Sequence, residues 1–146
     1  MKPILLTEQN GDVSAPLIVA LKQSGYAVVH VKSAKETLSL LRETPDAFEL
    51  LCCDLMLVYM DGFEVLKWVR ENPATQNLPV VLLTHIPNEA GSYLEWQAKK
   101  PRHTVTKAGQ SGYIALGRYP ETRQLNTDDV IAAIQAVLSG EPETSD

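Results

Sequence analysis

The chain predicts an α/β protein: a parallel sheet covered by helices on both faces. Short apolar runs recur at residues 4–6 (ILL), 27–31 (AVVHV), 50–53 (LLCC) and 80–83 (VVLL), each too short for a free-standing helix. Stretches of helical period separate them. Within the runs apolar residues follow one another instead of alternating with polar ones, so the strands require cover on both sides, as in parallel sheets. In such open sheets ligands bind beyond the carboxyl ends of the strands, at the switch point of the winding.

The elements follow in order. Leu17, Ala20 and Leu21 share a helical face and Gly25 stops that helix; Leu38 and Leu41 precede Pro45; Phe63, Leu66 and Val69 precede Asn72-Pro73. Near the end Val130, Ile131, Ile134, Val137 and Leu138 form a wide apolar stripe. Thr127 opens it, with Asp128 and Asp129 suited to the helix dipole. The segment GEPETSD at 140–146 is acidic and lacks apolar anchors, so it is expected to be disordered.

The 146 residues fit one domain with a sizeable core, and the 45% hydrophobic content is that of a globular protein. A net charge of −5 argues against general affinity for nucleic acid or an anionic membrane. The basic group Lys99, Lys100, Arg102 and His103 reads as a solvated helix end. No apolar run approaches the roughly 18 residues of a membrane span, and MKPILL lacks the pattern of a signal peptide, so a cytoplasmic location is expected. Cys52 and Cys53 read as buried thiols. His30, His85 and His103 have no partner at metal-ligand spacing. The scattered Trp and Tyr residues suit packing better than a nucleobase platform, and glycines 109, 112 and 117 do not form a dinucleotide fingerprint.

Polar residues at the strand ends carry the chemistry. Glu8 and Gln9 follow the first strand, Asp54 ends the third and Thr84 the fourth, with Lys107 further on. Together they make a phosphoryl-transfer set. Asp54 would be the nucleophile, Thr84 a hydroxyl donor to one phosphoryl oxygen, Lys107 a fixed cation for another, and Glu8 a carboxylate towards a divalent ion.

Here the chain resembles the receiver domain of two-component response regulators. ILLTEQN at 4–10 is similar to that family's first strand and acidic pair, DLMLVYMDGFEVL at 54–66 to its phosphoacceptor segment, and NLPVVLLTH at 77–85 to its fourth strand. The spacings of 46 residues from Glu8 to Asp54 and 30 from Asp54 to Thr84 suit the family. The resemblance implies a flavodoxin-like, five-stranded sheet of order 2-1-3-4-5. It implies Mg²⁺ bridging Asp54, the backbone carbonyl of Met56 and the incoming phosphoryl group, with Glu8 and Gln9 at the acidic pair. It further implies a histidine kinase or phosphotransfer protein as donor and a downstream effector protein as reader. Neither direct nucleic-acid contact nor membrane insertion is expected, and a homodimer is compatible with it. The chain would be a stand-alone receiver over 1–140 that catalyses at most its own phosphotransfer and dephosphorylation.

Two departures qualify the resemblance. Gln9 stands where the family usually has a second acid, and an amide lacks the charge that offsets stripping water from Mg²⁺, so weakened binding is expected. The fifth strand has two registers. HTVTKAG at 103–109 keeps Lys107 in place 23 residues after Thr84 and leaves 108–126 as an irregular insertion. SGYIAL at 111–116 supplies Tyr113 as the aromatic but puts Leu116 where the lysine belongs. The first register is preferred because it keeps the cation that phosphoryl charge requires. A pseudo-receiver, an interaction module that signals without phosphate, is the competing reading. A flavodoxin-like cofactor binder is disfavoured, because no Ser/Thr/Gly-rich phosphate loop follows the first strand.

Overall fold

The computed structural model describes residues 2–54, 57, 59–84, 111–115 and 127–139. Five parallel strands form one sheet: β1 (Ile4–Thr7), β2 (Val28–Val31), β3 (Leu50–Asp54), β4 (Val80–Thr84) and β5 (Ser111–Ala115). Their order is β2-β1-β3-β4-β5, as the family resemblance implies. The helices are α1 (Gly11–Gln23), α2 (Ala34–Glu43), α3 (Gly62–Glu71) and α4 (Thr127–Leu138).

Successive residues of each strand face opposite layers. Ile4, Leu6, Leu50, Cys52, Val81 and Leu83 pack with Leu17 and Leu21 of α1 and Val130 and Ile134 of α4. Leu5, Leu51, Cys53, Val80 and Leu82 pack with Leu38 and Leu41 of α2 and Val65, Leu66 and Val69 of α3. Both faces of the central strands are therefore dry, which explains the uninterrupted apolar runs.

Local signals set the boundaries. Asn10 caps α1 by accepting from the Asp12 amide at 2.9 Å, and the Asp61 carboxylate caps α3 by accepting from the Glu64 amide at 2.9 Å. Ser33 caps α2, its hydroxyl accepting from the Glu36 amide and donating to the Glu36 carboxylate. Gly25, at φ +93°, ends α1: the Tyr26 amide donates to Leu21 O and the Gly25 amide to Lys22 O, as in a Schellman motif.

The fifth strand corrects the preferred reading. Ser111–Ala115 pairs with β4, Val80 opposite Ser111 through Thr84 opposite Ala115. The described fifth strand is thus the second register, and five residues of the span 108–126 lie in the sheet. The physical reason is composition. Tyr113 and Ile114 favour a strand packed against β4 and α4, whereas HTVTKAG offers polar or charged residues at most positions. Lys107, like the tail at 140–146, lies outside the described residues.

Candidate functional site

The sheet order reverses direction between β1 and β3, so the switch point lies beyond the carboxyl ends of these two strands. Thr7 pairs with Cys53, and the next residues along, Glu8 and Asp54, are both polar and both buried, at 1% and 3% exposure. Asp54 pairs with Leu83 of β4, and the backbone of Thr84 follows at that strand's carboxyl end.

Glu8 is held on several sides. Its amide donates to Val31 O at 3.1 Å, its carbonyl meets His30 Nε2 at 2.8 Å, and its Oε2 accepts from the Asn10 amide at 3.2 Å. Its remaining oxygen, Oε1, is buried with no hydrogen-bond partner. Burial first, then the hydrogen bond and charge of the adjacent Asp54 carboxyl, push Glu8 from about 4.5 up to about 8. Beneath it Thr7 and Thr37 share a buried hydroxyl hydrogen bond. Thr37 donates its own proton to Ser33 O, so Thr7 is the donor between the two hydroxyls.

A pocket with two facing carboxyls and an unpartnered carboxyl oxygen fits a hard divalent cation. Mg²⁺ is commonly held by one or two carboxylates while it keeps several waters. Among the described residues no third His, Cys, Asp or Glu joins the group. Gln9, the next residue, is exposed, and Met56 lies outside the described residues. The structure therefore brings together Glu8, Asp54 and the backbone of Thr84, and places Gln9 at the rim.

Two residues near the site had escaped sequence reasoning. His30, noted only as isolated, bonds the Glu8 carbonyl; the available signal was one polar residue inside an apolar strand. Tyr59, in the loop after β3, is fully exposed and has φ +71°, a left-handed backbone unusual for a bulky residue. Nothing in its residue type announced that conformation. Cys52 and Cys53 are free, buried thiols, as expected. Burial, with the neighbouring acids, raises both well above the usual thiol range.

This fold and acidic switch point define a receiver domain. The response regulator receiver domain family matches residues 4–114, and the chain belongs to that family. It is 38% identical over 85 residues to the transcriptional regulatory protein AfsQ1 of Streptomyces coelicolor, covering 58% of this chain and 35% of that protein. It is 33% identical over 84 residues to the response regulator receiver protein CpdR of Brucella abortus, covering 58% of this chain and 67% of that one. The chain thus spans about a third to two thirds of these relatives' lengths. In fold it is similar to the signal receiver domain of a signal transduction histidine kinase from Syntrophus aciditrophicus, with a TM-score of 0.71 at 22% identity over 96% of this chain and 92% of the other. No helix among the described residues is long and apolar enough to cross a membrane.

Proposed function

We propose that the chain is a phosphorelay receiver that accepts a phosphoryl group on Asp54 from a histidine kinase or phosphotransfer protein and changes its partner binding in response. The supporting observation is the buried pair formed by Glu8 and Asp54 at the switch point, with Glu8 Oε1 unpartnered.

In this reading an Asp54 oxygen attacks the phosphorus of a phosphohistidine. The phosphorus–nitrogen bond breaks and its electron pair leaves with the imidazole nitrogen, giving an acyl phosphate on Asp54. Glu8 and Asp54, with Gln9 and the Met56 carbonyl, would hold Mg²⁺, whose charge offsets that of the phosphoryl oxygens. The Thr84 hydroxyl donates to one of those oxygens. Lys107 precedes β5 in sequence, so the second cation is not assigned to it.

Incubation of the full chain with a small phosphodonor and Mg²⁺ should add one phosphoryl mass, and Asp54→Asn should abolish it. An unmodified wild type, or a modified variant, refutes the assignment. The pseudo-receiver reading is favoured by one observation: the residue after β5 is Leu116, which brings no charge. Under that reading wild type stays unmodified and still binds its partner.

A further inference from the structure

We propose that His30 is a positioning residue for Glu8: its Nε2–H, donated to the Glu8 carbonyl, fixes the backbone from which the Glu8 carboxylate reaches a divalent cation. The inference rests on the reading of Glu8 and Asp54 as the pair that holds the metal.

The ladder between β1 and β2 ends at the pair Thr7 and Val31. Glu8 lies one residue beyond it, yet both of its main-chain groups are still bound by β2. Its amide uses the Val31 carbonyl; its own carbonyl has no ladder donor left and takes the His30 side chain, from 22 residues away in the chain. A carbonyl oxygen only accepts, so the hydrogen sits on Nε2. His30 thus prolongs the ladder by one side-chain bond.

That bond settles more than a backbone. With its amide, carbonyl and Oε2 all occupied, Glu8 retains one unpartnered atom, Oε1. Three fixed points at a buried residue leave the carboxylate few alternative directions. Partners of this kind, which orient a ligand without touching the metal, commonly govern affinity by about 10 to 100-fold. His30 is half-buried at the edge of the sheet, where core packing alone gives no reason for an imidazole.

Two substitutions separate donor from packing. His30→Gln keeps an N–H near the position of Nε2, whereas His30→Phe keeps a ring and removes the donor. Mg²⁺ affinity is measured by calorimetry on the full chain. Without metal, exchange of the Asn10 amide, which Glu8 Oε2 holds, reports where the Glu8 side chain lies. The Phe variant should bind Mg²⁺ about tenfold more weakly. It should also exchange the Asn10 amide several-fold faster, while the core amides of Leu5 and Leu51 keep their rates; the Gln variant should match wild type on all counts. Wild-type behaviour in the Phe variant, or equal impairment in the Gln variant, overturns the proposal. If wild type itself binds no Mg²⁺, the metal reading fails; unchanged Asn10 exchange in the Phe variant then overturns the positioning role too, and faster exchange that the Gln variant restores upholds it.

Discussion

Glu8 makes the metal-free protein sensitive to pH. Its folded value near 8 lies above its ordinary value of 4.5, so between these limits the folded state holds a proton that the unfolded chain releases. Stability from this source is complete below about pH 4.5 and is lost as pH rises through 8. The urea midpoint of the metal-free protein should therefore fall across that window, and Glu8→Gln should flatten the fall. Added Mg²⁺ should restore the wild-type midpoint at the upper end, since a ligand of the folded state stabilises it by mass action. A slope unchanged in the variant would remove Glu8 as its cause. Tyr59 tests backbone strain. Its φ of +71° costs a non-glycine residue roughly 1–2 kcal/mol, and its fully exposed ring packs on nothing. Tyr59→Gly relieves the strain but loosens the unfolded chain by about 0.4–1 kcal/mol, so a net gain of up to about 1.6 kcal/mol is expected in equilibrium unfolding. A less stable variant would show that the ring contributes a contact.

Elements differ in how plainly their sequences announce them. The strands at residues 4, 50 and 80 are legible because each is buried on both faces, which leaves unbroken apolar runs, the edge strand at 28 because valines flank its one polar residue, and the helices because caps and stops bracket their periods. β5 was misplaced for a definite reason. The preference for 103–109 put the chemistry of Lys107 above the larger apolar side chains of Tyr113 and Ile114, and the strand paired with β4 is Ser111–Ala115. The carboxylate pair was legible as strand-end polarity, but the bracket around Glu8 was not, since it depends on which residue of β2 lies beside it. The placement of β5 predicts slow amide exchange over Ser111–Ala115 and little effect of Lys107→Ala on phosphorylation. A loss near a hundredfold, typical for removal of a preorganised charge, would return Lys107 to the site. The passage from α3 to β4 is tied by Arg70, whose Nη1 donates to Gln76 O at 3.2 Å and Leu78 O at 2.7 Å. Arg70→Ala should cost on the order of 1.5–3 kcal/mol in denaturant unfolding, as bonds from charged donors do. A change within a few tenths would mean that the loop holds without it.

On the scale of the whole molecule the sheet separates two apolar layers, which among the described residues share no side chains, one under α1 and α4, the other under α2 and α3. Cys52 and Cys53 are neighbours in β3, yet one belongs to each layer, and neither is exposed. Alkylating reagents attack thiolates, and both groups are held as protonated thiols by burial. Each sulfur therefore acts as a clock for the opening of its own layer, already built into the chain without any label. If the domain unfolds as one cooperative unit, the two cysteines will be alkylated at a common rate that follows global stability. Peptide mass spectra in which one of them runs ahead would identify the layer that opens first, and with it the side of the sheet on which a conformational signal could travel at least cost.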